Sequence, residues 1–234
     1  MSQKPLIALV HAIPDSMPSI VAAFREGWPE ADLVNIIDDC LFHNLSAGTA
    51  TREAVVARFH ALTEYALGPA TDGRKPQALL FCCSAFAYAI EAARAGKDVP
   101  ILTPAEAGIE QALEAGKRIA LVVTAEAALP PLVDELTDMA RAKGKKPELV
   151  TVIAKGAIEA LREGRPEEHD RIVAEAIASM PAVDVALMGQ FTMSRAARVL
   201  APNHNPPVLT TPGSAVRKLR TLLADGSPAY AAAS

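Results

Sequence analysis

ALLFCCSAFAYAIEAAR, residues 78–94, is the stretch that decides the fold. Its first six residues form an unbroken apolar run ending in two adjacent cysteines, and Ser84 then opens a segment with helical spacing. A short run that is apolar throughout, rather than alternating, reads as a strand covered on both faces, as in a parallel sheet. A second stretch, ALMGQFTMSRAARVL (186–200), repeats this layout with Gln190 where the first has Cys83.

Working outward, short apolar runs alternate with Ala-rich segments of 3.6-residue period. The expected strands are Leu6–His11, Asp32–Ile37, Ala78–Cys83, Pro100–Thr103, Arg118–Thr124, Glu148–Ile153, Val183–Met188 and Pro207–Thr210. Helical spacing is clearest over Arg52–Leu67, Ser84–Ala95, Leu132–Lys143, His169–Met180 and Ser214–Leu223. The class is α/β with parallel sheets. The pattern also runs twice. IALVHA (7–12) returns as IALVVT (119–124), and VPILTP (99–104) is echoed by PPVLTT (206–211), 107 residues later (207 − 100). The same offset sets Cys83 opposite Gln190 and Ser84 opposite Phe191. Two echoes sharing one offset, with the IALV match, indicate a duplicated half. The expected halves are residues 1–103 with 212–234, carrying Cys83, and residues 104–211, carrying Gln190, with the final helix returning to the first half. Each is a four-stranded parallel sheet flanked by helices.

The chain has 234 residues, half of them hydrophobic, and a net charge of −4. It carries no basic cluster interleaved with aromatics, so nucleic acid is not expected as a partner. The densest basic run, KGKK (143–146), reads as a solvated loop. No run approaches the roughly 18 apolar residues of a membrane span, and the N-terminal apolar run is too short for a signal peptide. Three cysteines do not make a disulfide framework, and they fit a reducing, cytoplasmic setting. Homo-oligomerisation is left open.

In parallel α/β sheets ligands bind beyond the carboxyl ends of the strands. The residues at those ends are His11, Asp38 and Asp39, Cys83 and Ser84, Thr103, Thr124, Gln190, and Thr210 and Thr211. This set holds hydroxyls, an imidazole, an amide and a thiol, but no phosphate-cradling glycine loop. No C-x-x-C or H-x-x-x-H pattern occurs, so neither a zinc site nor a cofactor is expected. Alternation sends Cys82 into the core and leaves Cys83 at the strand end, before a helix N-terminus. Backbone N–H groups and the helix dipole there are expected to lower the Cys83 pKa and can also hold a carboxylate, while Ser84 reads as the N-cap. The plain alternative for Cys83 is a buried, inert thiol. Asp38 and Asp39 read as caps or solvated acids, and Cys40 as inert.

With these two strand-to-helix junctions, the sequence resembles the aspartate/glutamate racemase superfamily, which includes hydantoin racemases, maleate isomerases and arylmalonate decarboxylases. The resemblance covers nearly the whole chain. It implies two pseudo-symmetric flavodoxin-like halves and a small carboxylic acid bound between them, with no cofactor. The family's first-half cysteine and small polar pair match Cys83-Ser84-Ala85. Its second-half Gly-Cys-Thr reads here Gly189-Gln190-Phe191, with Thr192 one place later, and a family threonine matches Thr124. In the family two thiols remove and return a proton on opposite faces of the carbon beside a carboxylate. Gln190 cannot carry a proton, though it can hydrogen-bond a carboxylate.

The resemblance therefore implies a one-thiol enzyme, in which Cys83 serves proton transfer or decarboxylation. His11 would join Cys83 as a supporting catalytic group, and Ser84, Ala85, Thr124, Gln190, Phe191 and Thr192 would bind substrate, with Thr124 also in a supporting role. Two alternatives stand beside it. One is an amino-acid or hydantoin-type racemase in which His11 replaces the second thiol, although His11 belongs to the same half as Cys83. The other is a non-catalytic protein that binds or senses small carboxylates.

Overall fold

Leu6–His11 is buried at all six positions, as a strand with neighbours on both edges and layers on both faces must be. In the computed structural model, which describes residues 4–200 and 204–225, this segment is β1. It is followed by α1 (Met17–Gly27), β2 (Asp32–Ile37), α2 (Cys40–Ser46), α3 (Arg52–Leu67), β3 (Ala78–Phe81), α4 (Ala87–Arg94) and β4 (Ile101–Leu102). The chain continues with α5 (Glu106–Ala115), β5 (Arg118–Val123), α6 (Leu129–Ala142), β6 (Glu148–Ile153), α7 (Ala157–Arg162), α8 (Pro166–Ala178), β7 (Val185–Met188), β8 (Val208–Thr210) and α9 (Thr211–Ala224).

The strands form two four-stranded sheets, β2-β1-β3-β4 and β6-β5-β7-β8, parallel throughout. Their registers repeat residue for residue. Leu79 pairs with Ile101 as Ala186 pairs with Val208, and Leu80 with Leu102 as Leu187 with Leu209, each pair displaced by 107 (186 − 79). The expected α/β class, with two sheets of four parallel strands flanked by helices, is what the structure has. The described residues up to Pro104, together with those from Ala215 onward, make one compact unit, and Ala105–Ser214 makes the other.

In the first unit, α3 and α4 cover one face of the sheet. Val55, Phe59, Leu62, Ala66, Ala89, Ile90 and Ala93 pack there on Ala8, Val10, Leu79 and Phe81. Thr51 caps α3 by accepting the Ala54 N–H at 3.2 Å. In the second unit, Leu132, Leu136 and Ala140, spaced four apart on α6, lie on Leu121, Val123 and Leu187. The opposite face takes Val173 and Ile177 of α8.

Two junctions differ from the sequence expectation. The third strand ends at Phe81 rather than Cys83, because the chain makes one further ladder bond and then tightens into a 3-10 turn over Ser84–Phe86 before α4 begins. After β7, a 3-10 segment runs over Phe191–Val199 in place of a regular helix.

Candidate active site

Cys83 owes its position to the last ladder bond of β3, from the Cys82 N–H to the Val10 carbonyl at 2.8 Å. Strand alternation persists to this point. Cys83 therefore shares the side of Phe81 and packs against the cluster of Val10, Ala12, Phe59, Phe81 and Phe86. Phe86 anchors the turn from below, its ring 5.3 Å from that of Phe59, which lies 5.0 Å from Phe81. Cys82 is buried, its sulfur 3.6 Å from the Leu80 carbonyl oxygen, and burial raises its pKa well above the ordinary thiol value.

The expected lowering of the Cys83 pKa is corrected by the structure. Burial pushes this thiol up, and the Ala85 N–H directed at its sulfur offsets only part of that. The physical reason is the turn. It is three residues of 3-10 geometry, with α4 starting only at Ala87, so few aligned peptide dipoles reach the sulfur while the phenylalanine cluster excludes water. Cys83 as a whole is only half-buried, but its ionisation follows the packed surroundings of the sulfur. Ser84 is the first residue of the turn, not its cap, and no side chain caps either the turn or α4. Ser84 is half-buried and Ala85 exposed.

His11, the last residue of β1, is fully buried. Its Nδ1 lies 2.7 Å from Ser16 Oγ, and Ser16 in turn donates to the Ile13 carbonyl at 3.0 Å. The Ser16 proton is thus committed, and Nδ1 must be the donor. Nε2 lies 3.1 Å from the Asn35 side chain. Burial lowers the His11 pKa, so the ring is neutral, and it is satisfied when Asn35 turns its amide NH2 toward Nε2. Val10 and Ala12 flank His11 in the chain and face the α3/α4 side with Cys83. His11 accordingly points to the opposite face of the sheet. The structure does not bring His11 and Cys83 together, and both imidazole nitrogens are already engaged.

In the second unit the equivalent ladder bond runs from the Gly189 N–H to the Val122 carbonyl at 2.9 Å. A Cβ at this position would sit 2.5 Å from Leu132 Cδ2, so any larger residue obliges that leucine to move. Gln190 follows at the start of the 3-10 segment. Its Oε1 accepts two bonds from the end of the adjacent strand, from the Thr124 N–H at 2.8 Å and the Thr124 hydroxyl at 3.0 Å. The structure thus joins Gln190 and Thr124, with Thr124 buried. Phe191 is buried, whereas Thr192 is half-buried.

A further buried polar group lies on α8, where the sequence pattern shows only a helix. Buried His169 places Nδ1 2.9 Å from Asp170 Oδ1, and Asp170 Oδ2 accepts from Arg195 Nε at 2.7 Å. This ties α8 to the segment that begins at Gln190. The available sequence signal was the four-residue spacing of His169, Val173 and Ile177, which sets the histidine on the inner stripe of α8. Among the described residues, Asp38, Asp39 and Cys40 bring three metal-binding side-chain atoms within 4.8 Å of one another, but Asp38 is already held by Arg58 Nε at 2.6 Å. Among the described residues no helix is long and apolar enough to cross a membrane.

Comparison with known proteins gives a consistent picture. The Asp/Glu/Hydantoin racemase family model matches residues 15–219. Among solved structures, the chain is similar to allantoin racemase from Klebsiella pneumoniae, with a TM-score of 0.66 and 16% identity over 97% of this chain and 90% of that one. It is also similar to glutamate racemase from Francisella tularensis in complex with D-glutamate (TM-score 0.63, 14% identity, 99% and 85% covered). Allantoin racemase from Pseudomonas fluorescens gives a TM-score of 0.64 at 15% identity, with 96% and 93% covered. At such identities the likeness is one of fold. Among curated proteins none matches the sequence significantly.

Proposed function

The chain belongs to the Asp/Glu/hydantoin racemase family, and from that premise we propose that it is a cofactor-independent enzyme that moves a proton at the carbon beside a carboxylate of a small acid, with Cys83 as the proton-carrying group. The observation that carries this reading is the asymmetry of two equivalent junctions. One ends in a thiol whose sulfur receives the Ala85 N–H, and the other in an amide bound to Thr124. A thiol can exchange a proton near neutral pH, and an amide cannot.

The direction of the Cys83 shift bears on the chemistry. A thiol held above its ordinary pKa rests protonated, so Cys83 begins the cycle as an acid, and the Ala85 N–H supports the thiolate left after it has given up its proton. This specific observation favours protonation of a carbanion over abstraction of a proton as the first step. In a decarboxylation, the bond between the α-carbon and the departing carboxyl breaks and its electron pair stays on carbon as an enolate. The Cys83 S–H proton then forms the new C–H bond, and solvent reprotonates the sulfur. Racemase-type exchange is the second reading, supported by the family, and here too the one thiol serves one face. The family resemblance makes Ser84 and Ala85, beside Cys83, and Gln190 and Thr192, beside Thr124, the candidates for substrate contact, with Phe191 on the buried side of its turn. His11 supports the strand end through Ser16 and Asn35 rather than as a second base.

The test is turnover of a panel of small mono- and dicarboxylic acids in D2O, followed by NMR. Deuterium entering from one face, with a loss of about 10²- to 10⁴-fold in Cys83→Ala, is the expected result. Undiminished turnover in Cys83→Ala, or fast equilibration of both enantiomers by the unaltered protein, defeats the assignment. Ligands that stabilise the protein without turnover point to a carboxylate-binding protein instead.

A further inference from the structure

The bond between Thr124 and Gln190 fixes more than the position of the amide. A backbone N–H can only donate, so the Gln190 atom 2.8 Å from the Thr124 nitrogen must be oxygen, which removes the usual ambiguity between the two ends of an amide. The Thr124 hydroxyl donates to the same atom at 3.0 Å, so both lone pairs of Oε1 are taken. Two further contacts stiffen this arrangement. Gly189 is anchored to Val122 and lies against Leu132, and Thr124 itself is buried. What remains is Nε2, which carries two hydrogens and has no partner among the described residues, on a side chain that is half-exposed.

We infer that Thr124 is a specificity-determining positioning residue: by holding Oε1, it makes Gln190 a donor-only group that selects a carboxylate on the substrate. Without that hold an amide rotates freely and offers donor or acceptor alike. With it, the second unit presents an N–H pair to the substrate, which rewards an anionic, acceptor-only group and leaves an ammonium facing hydrogens of its own sign of polarity. Thr124 thus acts through Gln190, with both of its donors committed to Oε1 and none left for a carboxylate. The inference rests on the reading of Gln190 as a substrate-binding residue and names the class of group that it binds.

The experiment uses the full chain carrying Cys83→Ala, so that binding is read without turnover and a failure of the thiol assignment does not affect it. The probes are malonate, succinate, and D- and L-glutamate, titrated by calorimetry into the Cys83→Ala protein and into versions with Thr124→Val, Thr124→Ser or Gln190→Glu added. Losing a hydrogen bond to a charged group corresponds to about 10- to 100-fold in affinity. Gln190→Glu, whose carboxylate still satisfies Thr124, is expected to weaken the best probe by at least that much. Thr124→Val keeps the backbone N–H bond and removes the hydroxyl half of the hold, so it should weaken the best probe by about two- to tenfold, and Thr124→Ser should restore it. In ¹⁵N-labelled protein, the Gln190 side-chain amide signal should shift in Thr124→Val and return in Thr124→Ser, a readout of the lock that requires no ligand. In the catalytically intact background, Thr124→Val should raise KM with little change in kcat. Equal affinity of the Thr124→Val and Thr124→Ser proteins, unimpaired binding by Gln190→Glu, an unmoved Gln190 amide signal, or no binding of any probe overturns the inference.

Discussion

Replacing Ser16 by alanine tests whether His11 is a structural histidine. The substitution removes the Oγ that lies 2.7 Å from His11 Nδ1 and donates to the Ile13 carbonyl at 3.0 Å. Ile13 is only half-buried and its carbonyl can be hydrated, but His11 is fully buried, so its Nδ1–H is left without a partner. An orphaned buried donor costs about 1–3 kcal/mol. With a urea m-value of roughly 1–3 kcal/mol/M, the midpoint of the first unit should fall by about 1 M at constant m. The assay is convenient because the chain has a single tryptophan, Trp28, buried in the first unit beside Phe24. Its fluorescence reports the unit that contains His11. In a His11→Leu background the same substitution should cost far less, since no imidazole remains to be orphaned. Acid gives an independent check. Because the native His11 pKa is lowered, the unfolded chain takes up a proton near pH 6.5 that the folded one refuses, and stability falls as pH drops below that value. His11→Leu should flatten that slope. Equal costs of Ser16→Ala in the two backgrounds, or an unchanged midpoint, would refute the reasoning.

Iodoacetamide at neutral pH should modify exposed Cys40 first and Cys83 more slowly, with the Cys83 rate climbing about tenfold per pH unit as the thiolate appears. Cys82 should react only on unfolding, and mass spectrometry that finds Cys83 ahead of Cys40 at pH 7 would show that the helix end outweighs burial after all. Gly189→Ala drives a methyl to within 2.5 Å of Leu132 Cδ2 and should cost about 1–3 kcal/mol in urea unfolding followed by far-UV circular dichroism. A neutral result would mean that Leu132 swings clear.

Much of this architecture was legible because apolar, β-branched runs and 3.6-residue periods are local signals that depend on neither partner nor register. Leu6–His11, Asp32–Ile37, Glu148–Ile153 and Arg52–Leu67 have the bounds read from sequence, and the 107-residue echo reappears as equal registers in the two sheets. The opposite environments of Cys82 and Cys83 follow from alternation alone. What escaped were properties set by distant partners. The sequence pattern implies a helix N-terminus at Ser84 and hence a lowered Cys83 pKa, whereas the chain spends three residues in a 3-10 turn and closes Phe59 and Phe86 around the site. His11 was read as available because Asn35, 24 residues away, gives no local sign of bonding to it. Gln190 and Thr124 were both singled out, yet the bond between them needs the adjacency of β5 and β7, which only the strand order supplies.

The division of the chain has a consequence for the order in which it is made. The described residues from Ala215 onward belong to the first unit, although the whole of Ala105–Ser214 is synthesised before them. They are not ornamental: Ala215, Val216 and Leu219 are buried, a Cβ on Gly27 would lie 3.1 Å from Val216 Cγ1, and Arg220 reaches back 193 residues to the Gly27 carbonyl at 2.9 Å. On a ribosome adding about 5–20 residues per second, the unit that starts first is therefore the last to be completed. It must wait, with part of its apolar surface uncovered, for roughly the 5–20 seconds that the intervening unit takes to emerge. The inserted unit, continuous in sequence, can close on itself during that interval. The thiol-bearing unit is thus the later folder of the two, and the vulnerable one in the cell.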